Sequence, residues 1–158
     1  LPFSVPRSVG QIPLYYNKKA PQSHDYVEMS ASPLYPFGYG LSYTSFDYSD
    51  LHLSALMPRS FEISFKVRNT GKYDGEEVAQ LYLRDEYASV VQPLKQLKHF
   101  ARFYLKRGEE REVKFILSEE DFSLVDRNLK KIVEPGTFQI MIGAASNDIR
   151  LQTKVEIK

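Results

Sequence analysis

The sequence predicts an all-β fold, an antiparallel sandwich of two sheets preceded by an irregular N-terminal extension. From Phe46 onward, apolar residues recur at every second position in several segments, the mark of strands buried on one face. Clusters of turn-forming residues separate those segments. About seven short strands over roughly a hundred residues match a sandwich of this kind.

Phe61, Ile63, Phe65 and Val67 alternate with Glu62, Ser64, Lys66 and Arg68. The loop Asn69-Thr70-Gly71-Lys72-Tyr73-Asp74-Gly75 then leads to a strand in which Ala79, Leu81 and Leu83 alternate with Gln80, Tyr82 and Arg84. Pro93 to Leu105 is open to two readings. Leu94, Leu97, Ala101 and Leu105 fit one face of a helix, whereas Phe103, Tyr104 and the strand-rich surroundings fit a strand. Arg107-Gly108-Glu109 marks a turn before a strand that places Val113, Phe115 and Leu117 on one side. Ser118, with Asp121 three residues later, resembles a capping box opening a short helical turn. Glu134-Pro135-Gly136-Thr137 reads as a type II turn, with Pro second and Gly third. Phe138, Ile140 and Ile142 follow on one face, and a last strand sets Ile149, Leu151, Thr153, Val155 and Ile157 against Arg150, Gln152, Lys154, Glu156 and Lys158.

Upstream, the pattern changes. Residues 1–17 carry Pro2, Pro6 and Pro13 among scattered apolar positions, too short and interrupted to fold alone, and read as the remnant of a preceding domain. The opening Leu1-Pro2-Phe3, apolar and without Met, reads as a cut end of something longer. Residues 18–32 are polar, a surface loop. The connector over residues 18–45 then interleaves Tyr35, Phe37, Tyr39 and Tyr43 with Gly and Pro. Flexible linkers lack such rings, so an ordered strap is expected. The sandwich proper occupies 46–158.

Composition excludes several functions. A net charge of +1 gives no general attraction for nucleic acid or acidic membranes. No apolar run approaches the ~18 residues of a membrane-spanning helix. The absence of cysteine removes disulfides and thiol chemistry. The acids fall in groups, Glu76-Glu77, Glu109-Glu110 and Glu119-Glu120-Asp121, at turns and strand starts, and read as solvated surface charge rather than a catalytic pair. Glu134 reads as a turn residue. His24, His52 and His99 show no metal-ligand spacing, and His24-Asp25 lacks an accompanying nucleophile motif. Gly38-Tyr39-Gly40 lacks the third Gly and the helix of a phosphate loop. Lys95, Lys98, Arg102, Lys106 and Arg107 interleave with Phe100, Phe103 and Tyr104, but Glu109, Glu110 and Glu112 follow at once, so a solvated strand face is favoured over a nucleic-acid surface. There is no Trp, and seven of the 11 tyrosines lie at or before Tyr48, so a sugar-stacking face on the sandwich is not indicated.

Several strings resemble glycoside hydrolase family three. Pro6-Arg7-Ser8-Val9-Gly10-Gln11-Ile12-Pro13-Leu14-Tyr15-Tyr16-Asn17 is similar to the end of its α/β sandwich domain. The stretch from Pro33 to Thr44 is similar to its connector. Asn69-Thr70-Gly71, the run Asp74 to Leu83, Pro93 to Phe100 and Glu134-Pro135-Gly136 resemble its fibronectin type III-like domain. Ala20-Pro21-Gln22-Ser23 departs from the family's Gly-Arg-Pro in that region.

The resemblance implies an immunoglobulin/fibronectin type III-like sandwich, with Leu97 to Leu105 as strand. It implies a periplasmic or secreted parent that removes terminal β-D-glucosyl or xylosyl residues with retention, and whose barrel and α/β domains are this segment's partners. The strap's rings are expected to grip that α/β domain. The family's nucleophile Asp and acid/base Glu belong to motifs absent from this chain. No catalytic, cofactor-binding or metal-binding residue is therefore carried over, and no cofactor is expected. A different class, a stand-alone carbohydrate-binding or adhesion module, would need a groove or aromatic platform on the sandwich.

Overall fold

The alternating segments form strands because each can bury one face while its polar face meets water. The computed structural model describes residues 1–19 and 30–158. In chain order the strands are β1 (Phe46–Met57), β2 (Ser60–Asn69), β3 (Gly75–Asp85), β4 (Gln96–Leu105), β5 (Glu110–Leu117), the two-residue β6 (Leu124–Val125) and β7 (Lys131–Ile132), β8 (Gly136–Ala145) and β9 (Asp148–Ile157). They pair antiparallel into a three-stranded sheet, β1-β2-β5, and a four-stranded sheet, β4-β3-β8-β9, with β6 and β7 forming a small ladder.

The core lies between the two large sheets. Ile63, Phe65 and Val67 of β2 and Val113, Phe115 and Leu117 of β5 form one layer; Ala79, Leu81 and Leu83 of β3 and Ile140 and Ile142 of β8 form the other. Removing each large side chain from water contributes roughly 1.5–3 kcal/mol. These are the residues that the alternation assigned inward. Ser118 donates its N–H and hydroxyl to the Asp121 carboxylate, at 2.8 and 3.0 Å, which closes the short 310 turn Glu119–Phe122. That turn delivers Phe122 edge-on to Phe138 (ring centres 5.1 Å apart) and to Phe61 (5.8 Å).

The segment with two readings is strand β4, and its pairing with β3 explains the ambiguity. Leu81 lies opposite His99, but Tyr82 lies opposite Leu97, so Lys98 is an extra residue in a bulge. Leu97 therefore sits beside Tyr82 on the outer face, while Ala101, Phe103 and Leu105 fall on the inner one. The broken alternation mimics helical spacing. A second bulge bends β1 between Ser49 and His52, where Asp50 takes φ 53°.

One turn differs from expectation. A type II turn needs a left-handed third residue. Among the described residues the glycines with positive φ are Gly38 and Gly108 (83° and 78°), so Gly136 does not supply one. It opens β8 instead, paired with Ile157. Glu134 reaches away from its own turn and accepts hydrogen bonds from the N–H (2.9 Å) and hydroxyl of Ser89.

The extension is ordered against the sandwich itself. Val5 pairs with Tyr35, and the Leu1 amino group donates to the Tyr39 carbonyl at 2.8 Å. Tyr16 stacks on Phe37 with ring centres 4.1 Å apart and meets Tyr82 edge-on at 6.2 Å. The Leu97 N–H donates to the Tyr16 hydroxyl at 3.2 Å, and the Ser146 N–H to the Phe37 carbonyl at 2.9 Å. The strap's rings were expected to grip a neighbouring domain; Phe37 instead packs on this chain's own four-stranded sheet. Leu41 and Tyr43 are the opposite case, 87% and 95% exposed.

Candidate functional site

Two polar centres stand out against the apolar core. The first is Asn69, fully buried at the end of β2. Its amide donates to the carbonyls of Tyr73 (2.8 Å) and Leu105 (3.2 Å). Its carbonyl oxygen accepts from the Thr44 hydroxyl (2.6 Å) and the Gly71 N–H (3.1 Å). All four bonding directions of the side chain are used. Gly71 fits beneath because it has no Cβ, which would fall 2.1 Å from Thr44 Oγ1. The motif Asn69-Thr70-Gly71 thus ties strap, turn and β4 together.

The second centre lies where β1, β3 and β9 meet. The Tyr48 hydroxyl donates to Glu77 Oε1 at 3.2 Å, and the Arg150 guanidinium lies 4.9 Å above the Tyr48 ring centre. Arg150 is held by two hydrogen bonds to Asp148, at 3.2 and 2.9 Å, and by one to the Phe46 carbonyl. Burial pushes the Glu77 carboxyl above its ordinary range, opposed by the Val78 N–H, Arg150 and Tyr48. Burial, then the Glu77 charge, pushes the Tyr48 phenol upward as well. The raised Glu77 value means that folding favours its protonated form. That contribution is present below the unfolded pKa and is lost as pH rises through the folded one. Glu77→Gln is therefore expected to raise the thermal midpoint near pH 7 and to change it little near pH 3. Equal shifts at both pH values would refute burial as the cause.

Glu77 corrects the reading of the acids as uniformly solvated. It shares strand parity with Ala79, Leu81 and Leu83, so extending the alternation by one step would have placed it inward. Glu76, on the opposite face, is exposed and bonded to Arg102. Glu109, Glu110, Glu119 and Glu120 are exposed, and Asp121 caps its turn. His52 is exposed on β1, whereas His99 stacks over Phe115 (5.9 Å) with its Nε2 3.5 Å from Asp121. His24, Asp25 and Ala20-Pro21-Gln22-Ser23 lie outside the described residues. Among the described residues no group of three or more His, Asp or Glu could hold a metal ion.

The basic run is divided rather than joined. Lys95 donates to the Ser146 carbonyl and Arg102 pairs with Glu76, while Phe103 is buried in the core. Phe100, Arg102 and Tyr104 share the outer face of β4, with Phe100 67% and Tyr104 51% exposed.

Residues 77–146 match the family profile of the fibronectin type III-like domain, and the two stacked antiparallel sheets define the chain as a sandwich of that class. A β-xylosidase of Formosa agariphila is 43% identical over 160 residues, covering 97% of this chain and 22% of the relative. The periplasmic β-glucosidase of Salmonella typhimurium is 43% identical over 164 residues, covering 95% and 21%. The solved structure of a β-glucosidase from Erythrobacter marinus superposes with a TM-score of 0.90 at 39% identity, covering 98% of this chain and 21% of that one. The chain is homologous to the C-terminal region of the β-glucosidases and β-xylosidases of glycoside hydrolase family three. It spans about a fifth of the length of the relatives it matches.

Proposed function

We propose that the chain is the accessory C-terminal sandwich, with its connector, of a retaining exo-acting β-glucosidase or β-xylosidase that works in the periplasm or outside the cell. In this reading, residues 1–17 end the preceding α/β domain, 18–45 connect, and 46–158 form the sandwich. Catalysis belongs to an Asp and a Glu elsewhere in the parent, about 5–5.5 Å apart across the glycosidic bond as retention requires. The sandwich steadies the domains that carry them.

The Tyr16–Phe37–Tyr82 stack carries this reading. It seats the extension on the four-stranded sheet by one face, while Phe3, Val9, Ile12 and Tyr15 on the same segment remain 57%, 89%, 66% and 64% exposed. An apolar layer anchored on one side and bare on the other suits an inter-domain contact.

The isolated chain is expected to hydrolyse no aryl-β-glucoside or aryl-β-xyloside, whereas the whole protein turns one over. Measurable turnover by the isolated chain in a chromogenic assay would refute the accessory role. So would a whole protein whose thermal midpoint and activity are unchanged when 46–158 are removed.

A further inference from the structure

The outer face of the four-stranded sheet is only partly covered by the strap. Beside Gly40–Ser45 of the strap a groove of about 1380 Å3 remains open, lined by Val78 and Gln80 of β3, Phe100 and Arg102 of β4, and Asp148 and Arg150 of β9. Those strands span the full width of the sheet, three spacings of ~4.8 Å. The groove is larger than the ~300–1,000 Å3 of ordinary small-molecule pockets. It suits an extended ligand better than a single small one.

Its charges disfavour an anionic ligand. Arg102 is bonded to Glu76 (3.1 Å from Nε) and Arg150 to Asp148, so each guanidinium is already matched by a carboxylate. Glu77, which accepts from the neutral Tyr48 phenol, and Asp47 and Asp74 add further acid to the lining. An anion would have to break those pairs and approach the remaining carboxylates. Each guanidinium and carboxylate nonetheless keeps N–H groups or lone pairs beyond these bonds, in a planar fork that fits two adjacent hydroxyls. The Ser42, Thr44 and Ser45 hydroxyls of the rim add more donors and acceptors of the same kind.

Aromatic faces complete the arrangement. Phe100, Arg102 and Tyr104 occupy successive outward positions on β4, an edge strand, so two exposed rings flank an ion pair over roughly 13 Å of strand. A sugar ring offers an apolar C–H face to such rings and hydroxyls around its rim to the forks between them. No Trp is needed, because the Phe100 ring is 67% exposed.

We propose that this groove and the adjoining β4 face bind a neutral oligosaccharide. The proposal goes beyond the accessory role, and an inactive isolated chain can still satisfy it.

Titration of the 158-residue chain with cellohexaose, xylohexaose and laminarihexaose, followed by backbone NMR and calorimetry, tests it. At least one hexasaccharide is expected to bind saturably with Kd between about 0.1 and 1 mM, a normal range for a shallow site. Shifts should centre on β4, β3 and residues 40–45. Phe100→Ala and Arg102→Ala should each weaken binding about tenfold or more. Tyr87→Ala, which changes an 83% exposed ring outside the groove, should not. The two groove positions are exposed, so both variants should keep the wild-type thermal midpoint within a few degrees. Absence of saturable binding by all three sugars up to about 10 mM would overturn the proposal. Binding that Phe100→Ala and Tyr87→Ala affect equally would overturn it too. Inactivity of the chain on aryl glycosides bears on the accessory role alone.

Discussion

Asn69→Ala is expected to lower the unfolding free energy by about 3–5 kcal/mol, since four bonded groups lose their partner in a site closed to water. The Tyr73 and Leu105 carbonyls lose donors, and the Thr44 hydroxyl and Gly71 N–H lose an acceptor. Asn69→Asp provides the control. It keeps the acceptors for Thr44 and Gly71 but turns a carboxylate toward two carbonyl oxygens. It should be at least as destabilising at neutral pH and recover in part on acidification, when the acid can donate again. Urea unfolding measures both. A loss below about 1 kcal/mol for the alanine variant would show that the hub is dispensable.

Tyr82→Ala should cost a comparable ~3–5 kcal/mol, the usual range for deleting a buried ring. Its more telling effect is local. Tyr82 is buried on the outer face of β3, away from the core, by Tyr16, and its hydroxyl donates to Gln80. Gln80 in turn donates to the Ala144 and Gly38 carbonyls, at 2.6 and 3.3 Å. Amide exchange in residues 1–19 and 30–45 should therefore accelerate in the alanine variant well before global unfolding. Tyr82→Phe keeps the ring and should lose about 1 kcal/mol, with the strap still protected. Unchanged exchange in the strap of the alanine variant would show that the extension is held by something other than this stack.

The sandwich was legible in the sequence because a single rule, one face buried, governs most of its strands. Ile63, Phe65, Val67, Val113, Phe115 and Leu117 follow that rule without exception. It fails where a strand is covered on both sides. In β3, Gln80 and Tyr82 are buried with Ala79 and Leu81, because the extension lies over them, and periodicity carries no information about a segment that returns from far upstream. It also fails at bulges: one extra residue at Lys98 made a strand look helical. The polar centres were hidden for a related reason. Asn69 in Asn69-Thr70-Gly71 has the composition of any exposed turn, and only the arrival of Thr44 and Leu105 from elsewhere makes it a buried hub. Glu77 was within reach, since its parity is that of the core residues beside it. The Tyr48–Arg150 contact joins residues about a hundred positions apart and leaves no local signature.

The bend at Asp50 bears on how copies of this molecule treat one another. A straight border strand offers a run of evenly spaced donors and acceptors onto which a foreign strand can zip. β1 is such a border, but its extra residue interrupts the spacing, and Asp50, paired there with Lys66 at 3.0 Å, sets charge beside the gap. An incoming strand would meet a broken template and a carboxylate to desolvate. Crowded copies are therefore not expected to join through this border.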